Sequence, residues 1–151
     1  MKQNEFENSL GYNIGKAGHL TINAFHRRLQ PLGLDLTLQQ LGMLHYISSC
    51  GDSNQQELAE IAEKDKSAVL RSIDILERKG YVNRIADPND RRKNIIKITP
   101  KADDILQQVE PHFLAHMEAM TANIPQELLD ECVLTLKKIH ENARQYLEQS
   151  K

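Results

Sequence analysis

Between residues 64 and 101 the side chains able to do chemistry are mostly cations and short hydroxyls. Eleven Lys and Arg stand there against five Asp and Glu, a local charge of +6 in a chain of net charge −2. A basic module set in an otherwise acidic chain is the balance expected when one surface meets phosphates and the others do not. An unevenly charged solvated face would look the same. Within this stretch Lys66, Ser67, Arg71 and Ser72 fall near the start of a short helical pattern over 65–80. Val69, Ile73 and Leu76 recur at helical spacing, with Leu70 and Ile75 widening the apolar face. Asp65 suits an N-cap and Gly80 a left-handed stop. Small polar and basic groups projecting from the first turns of such a helix suit a DNA major groove. An ordinary surface helix would carry the same pattern, so the flanking elements decide.

Those flanks are organised. Thr37 followed by Gln40 has the form of a capping box, ahead of Leu38, Leu41, Leu44 and Ile47. Residues 52–54 read as a turn, and Leu58, Ile61 and Ala62 mark a short helix. A few polar residues, 63–66, then lead into the helix already described, which makes a helix-turn-helix. After Gly80, Tyr81, Val82 and Ile85 begin an extended segment. Asp87-Pro88-Asn89-Asp90 is a turn, Arg91, Arg92 and Lys93 form a basic tip, and Ile95, Ile96 and Ile98 favour a second strand. The result is a hairpin, or wing, whose Val82, Ile96 and Ile98 must pack on the helices because a lone hairpin is marginal. Its positive tip could reach a narrow minor groove.

Outside this lobe lie longer helices. Residues 10–29 form one with Leu10, Ile14, Ile22, Phe25 and Leu29 along one side. Thr99 and Pro100 suit the N-cap and first turn of a second, carrying Leu106, Val109, Phe113, Met117 and Met120, and Pro111 is expected to interrupt and kink it. A last helix follows Asn123–Gln126, with Leu128, Leu129, Cys132, Leu136, Ile139, Ala143, Tyr146 and Leu147 as its stripe. Such stripes exceed what a module of about 60 residues can cover. A symmetric dimer supplies the missing partner, with two reading heads about one DNA turn, ~34 Å, apart. Closure of the terminal helices within one chain is the alternative.

The composition, 40% apolar and 26% charged over 151 residues, is that of a soluble globular chain. There is no run of ~20 apolar residues and no secretion signal at the start, so no membrane partner and a cytoplasmic location are expected. Cys50 and Cys132 make no disulfide framework; Cys132 reads as an inert core residue, and Cys50 has no basic cluster beside it to lower its pKa. His112 and His116 lie one turn apart without a third ligand, so no metal and no cofactor are expected. No glycine-rich phosphate loop or nucleophile elbow is present, and an enzyme is not expected.

Taken together, Leu36-Thr37 with Gln40 and Leu44, Gln56-Glu57-Leu58-Ala59, Leu76-Glu77-Arg78-Lys79-Gly80-Tyr81-Val82 with Arg84, Asp87-Pro88 with Asp90-Arg91-Arg92, and Ile98-Thr99 resemble the MarR family of winged helix-turn-helix regulators in order and spacing. At position 101, where that family usually has Gly, this chain has Lys101. The resemblance implies a mainly α fold with a small β hairpin: a single domain over 1–151, a winged helix-turn-helix lobe over 36–100, and dimerisation helices over 8–32 and 101–148. It implies a homodimer and a sequence-specific double-stranded DNA-binding regulator of a pseudo-palindromic operator, usually a repressor released by a small molecule. The DNA-binding residues would be Lys66, Ser67, Arg71, Ser72, Arg84, Arg91, Arg92 and Lys93, with Asp87 and Asp90 structuring the wing. A small aromatic effector would meet His19, Asn23, Phe25, His26, His45 and Tyr46, although Phe25 and Tyr46 also suit plain packing. The competing class is a winged-helix protein-interaction module that does not bind DNA; its reading face would be neutral or acidic, unlike Lys66, Arg71, Arg91, Arg92 and Lys93.

Overall fold

A computed structural model describes residues 3–51, 53–61, 65–88 and 93–150. The elements run α1 (Gln3–Glu7), α2 (Leu10–Leu29), a 3-10 turn (Gln30–Leu32), α3 (Leu38–Cys50), β1 (Ser53–Asn54), α4 (Gln55–Ile61), α5 (Lys66–Arg78), β2 (Val82–Ala86), β3 (Asn94–Ile98), α6 (Pro100–Met120) and α7 (Gln126–Gln149). The chain divides into two units, Met1–Leu114 and Ala115–Lys151.

In the first unit the helix boundaries are chemically explicit. Thr37 accepts from the Gln40 amide while Gln40 reaches back to the Thr37 amide, the reciprocal box expected at the start of α3. A second box opens α4: Asn54 Oδ1 accepts from the Gln56 and Glu57 amides, and the Asn54 amide donates to Glu57 Oε2 at 2.9 Å. Residues 53–54 are therefore more than a turn. They form a short strand that pairs with β3, Ser53 opposite Ile96, giving a three-stranded antiparallel sheet of order β1-β3-β2. Two residues carry no periodicity, so this strand is invisible to pattern.

The core joins α3, α4, α5 and the sheet. Met43, Leu44, Ile47, Leu58, Val69, Ile73, Leu76, Val82 and Ile96 are its largest fully buried side chains, and Ile98 packs against it. Val82 and Ile96 thus anchor the hairpin. Full burial of such side chains stabilises by about 1.5–3 kcal/mol each, so the inner face of α5 is held firmly. Ile75 is half-buried, but Leu70 faces out, which corrects its assignment to the apolar face. A smaller cluster of Leu29, Leu41 and Val109 collects Phe25, Leu32, Leu34 and Leu38 around it. Because α3 feeds both clusters, it is apolar on two sides.

Helix α6 runs without a break through Pro111, although proline has no amide to donate to Gln107. Thr99 and Pro100 hold the N-cap and first-turn positions expected of them, but the Thr99 hydroxyl turns backward instead of capping α6. It donates to the Gly80 carbonyl at 2.8 Å, and the Thr99 backbone carbonyl receives the Ala102 and Asp103 amides. After α6, Asn123 takes a left-handed conformation (φ 63°), which its short polar side chain tolerates. In the second unit every residue of α7 is at least partly exposed, including Leu128, Val133, Leu136, Tyr146 and Leu147.

Candidate nucleic-acid interface

Helix α5 is built to present one face. Asp65 caps it, accepting from the Ser67 and Ala68 amides at 2.9 and 3.2 Å. At its other end Gly80 (φ 75°) closes a double turn, with the Tyr81 amide on the Leu76 carbonyl and the Gly80 amide on the Glu77 carbonyl. Only glycine takes this conformation without strain. With Val69, Ile73 and Leu76 inward, the exposed arc carries Lys66, Ser67, Leu70 and Arg71. Arg71 Nε donates to the Ser67 carbonyl at 3.2 Å, which lays its stem along the helix. Lys66 Nζ approaches Gln56 Oε1 of α4 at 3.4 Å. Ser72 is not on this arc. At about 100° per residue it falls about 140° from Ser67, it is half-buried, and its hydroxyl donates to the Ala68 carbonyl. The expectation that it faces outward is corrected by that geometry.

The wing lies beside this face. β2 and β3 pair from Val82 opposite Ile98 to Ala86 opposite Asn94, and the Asp87 amide closes onto the Lys93 carbonyl at 3.0 Å. Lys93 is exposed. Asp90, Arg91 and Arg92 lie outside the described residues, as do residues 63 and 64 of the polar turn before α5. Arg84 was expected on a phosphate, but the structure gives it another use. One arm of its guanidinium meets Glu77 and the other meets Asp74, both on α5. This fork fastens β2 to the reading helix. An open polar cleft of about 550 Å³ lies at the base of the wing, with Gln56, Glu60, Lys66, Lys93 and Asn94 among its walls.

A second anchor, which pattern did not reveal, holds the far end of α5. Tyr81 is buried, and its hydroxyl donates to Asp35 Oδ1 at 2.7 Å. Lys79 reaches the Asp35 backbone carbonyl and lies 3.7 Å from its carboxylate. Lys101 sits 4.1 Å from the centre of the Tyr81 ring and donates to the Lys79 carbonyl at 2.8 Å. Burial, followed by the Asp35 contact, pushes the Tyr81 phenol up to about 12. The Tyr81 hydroxyl bond is the main cause that holds Asp35 below its ordinary 3.8; Lys79 and Lys101 add to it against opposing desolvation. Lys101 thus closes the last turn of α5 onto the start of α6. A buried tyrosine directly after the stop glycine was the available signal, since its hydroxyl requires a partner.

The MarR family profile matches residues 36–93, the span from the α3 cap to the wing. The chain is also similar to a mutant MarR from E. coli complexed with operator DNA, at 27% identity and a TM-score of 0.78, covering 86% of this chain and 92% of that one. Over that lobe the chain matches the MarR family, and the likeness to MarR structures extends along most of its length. Two further MarR-like folds superpose on it. The transcriptional repressor CouR bound to a 23-mer DNA duplex shares 24% identity, with a TM-score of 0.82 over 93% of this chain and 98% of that one. BpsR of Bordetella bronchiseptica, solved in work on regulation of its DNA binding by 6-hydroxynicotinic acid, shares 18%, with a TM-score of 0.80 over 89% and 95%.

Against this MarR frame the expected effector residues do not behave as a set. His19 and Asn23 are exposed and bonded to each other at 2.9 Å on α2. Phe25 packs into the smaller core cluster, edge-on to Phe113 at 5.8 Å. His26, His45 and Tyr46 are exposed. Cys50 is half-buried, whereas Cys132 is exposed on α7, which corrects its reading as a core residue. Among the described residues no group of three or more His, Cys, Asp or Glu could hold a metal ion. No helix there is long and apolar enough to cross a membrane.

Proposed function

We propose that this chain is a MarR-family, sequence-specific double-stranded DNA-binding transcriptional regulator, working as a homodimeric repressor that a small molecule releases. The observation that carries the reading is the division of α5. Its inner face is locked in the core, while its outer arc offers Lys66, Ser67 and Arg71 to a groove. Lys93, with Arg91 and Arg92 read from sequence, would take phosphates and the adjacent minor groove. Ser72 and Arg84 drop out of the contact set, since both are engaged inside the lobe. The operator-bound MarR relative supports the same use of the lobe.

The dimer is supported by apolar surface. Leu128, Leu136 and Leu147 of α7, and Leu10 and Ile22 of α2, are all more than 40% exposed in a single chain. Soluble monomers rarely leave extended apolar stripes uncovered. A second copy covers it and supplies two reading heads for a pseudo-palindromic operator. The regulatory part of the proposal places a small aromatic effector against His19, Asn23, His26, His45 or Tyr46. The place of action is the cytoplasm, where the promoter is.

Selection from pooled random duplexes at two salt concentrations, followed by sequencing, tests this. The expected result is an enriched inverted repeat with half-sites about one turn apart. Folded protein that binds no duplex at either salt overturns the reading in favour of a protein-interaction module.

A further inference from the structure

Leu70 is out of place. The arc of α5 that faces solvent is otherwise made of Lys66, Ser67 and Arg71, yet Leu70 sits among them with 39% of its surface exposed. Val69, Ile73 and Leu76 are fully buried in the core, whereas Leu70 stands at the edge of their face, where it turns towards solvent. A surface that only needed phosphate affinity would favour Lys or Arg here, because non-specific binding is electrostatic. Ser67 and Lys66 lie three and four residues before Leu70, so the leucine is bordered by a hydroxyl and a cation on the same stripe. The base edges of the major groove carry one apolar group for such a side chain to meet, the 5-methyl of thymine.

We propose that Leu70 is a specificity-determining residue that reads the 5-methyl group of one thymine in each operator half-site. The inference rests on the DNA-binding reading above and gives it a chemical address. Leucine neither donates nor accepts a hydrogen bond, so its discrimination comes from burying the methyl and from leaving the polar edge of any other base unsatisfied.

The test replaces each thymine of the selected operator in turn by deoxyuridine, which removes only the methyl. Binding is measured for the full chain and for Leu70→Ala, with Leu70→Met as the conservative control. Thermal melting checks that the variants fold; Leu70 is not among the buried core residues, so both should stay folded at the temperature of the binding assay. At one thymine per half-site, deoxyuridine should weaken native binding about fourfold, and about fifteenfold when both half-sites are changed. Leu70→Ala should bind the thymine operator correspondingly more weakly and be indifferent to deoxyuridine at that position, while Leu70→Met keeps the sensitivity. A selected operator in which no thymine methyl shows an effect that Leu70→Ala abolishes overturns this inference and leaves the regulator reading standing. Failure to select any operator overturns both.

Discussion

Arg84→Gln separates two uses of one arginine. In the structure the Arg84 side chain is 23% exposed and bridges Asp74 and Glu77, whose side chains are 46% and 36% exposed. Exposed ion pairs contribute about 0.2–1 kcal/mol each, and solvent screening of the two carboxylates keeps these pairs within that range. Loss of the arginine also leaves Asp74 and Glu77 facing each other one turn apart on α5, a like-charge pair costing a few tenths of a kcal/mol. The substitution should therefore destabilise by about 1–2 kcal/mol and lower Tm by roughly 2–8 °C for a chain of this size. Its effect on DNA is the sharper discriminator. A phosphate contact contributes about 0.9 to the slope of log affinity against log salt, so losing one per protomer would flatten a dimer's slope by nearly 2. A staple within the lobe makes no such contribution. We expect binding to weaken because the wing is no longer fixed to α5, with the slope unchanged. Titrations at four salt concentrations with an operator duplex, alongside a thermal melt, give both readings. An unchanged Tm with a slope flattened by about 2 would refute the assignment and return Arg84 to the phosphate backbone.

The anchor at the other end of α5 makes a pH prediction. Asp35 is depressed, so its contribution to stability is full above about pH 4 and lost as pH falls through its folded-state pKa; Asp35→Asn should flatten that acid limb of Tm. Tyr81 is raised to about 12, so its contribution is full below about pH 10 and lost as pH rises towards 12. Absorbance titration should show one tyrosine ionising late, and Tyr81→Phe should remove that step; a native chain without a late step would contradict the anchor. On α7, Leu136→Glu places a charge in the middle of the exposed stripe and should give a monomer by sedimentation velocity. Cys132 lies on the same stripe, so maleimide should label it slowly in the native dimer and quickly in that variant; equal rates would place the dimer contact elsewhere.

Much of the lobe was legible because short-range chemistry dictates it. The Thr37 and Gln40 pair, Asp65, and Gly80 each satisfy orphan backbone groups within a few residues, and the structure realises each of them. The isoleucines of β3 and Val82 specify a hairpin that needs a helical floor, and they find it. The failures are tertiary. Two-residue β1 exists only because β3 offers it an edge. Thr99 could cap α6 or bond backward, and Gly80 happened to be within reach. Asp74 and Glu77 are three apart and so share a face of α5, but which cation meets them depends on the path of β2. Leu70 and Ser72 were misread for a common reason. An apolar side chain was assigned inward and a hydroxyl outward by type, whereas the angular position set by Val69, Ile73 and Leu76 places them the other way round.

These corrections share a consequence for how the lobe reads DNA. Arg84 ties the wing to the middle of α5, and Lys79, Tyr81 and Lys101 tie its C-terminal end to Asp35 and to the start of α6. Between them α5 has its inner face in the core and its two flanks in charge-assisted contacts, so reading helix and wing behave as one body. A ligand that lowers affinity by 5- to 150-fold must distinguish two states by about 1–3 kcal/mol. Distorting this body would break buried packing worth considerably more than that. Changing the separation of two intact reading heads need break none of it. Under the proposed function, an effector would therefore act on the distance between the heads, and the identity of the bases they accept would stay with the few residues on the outer arc of α5.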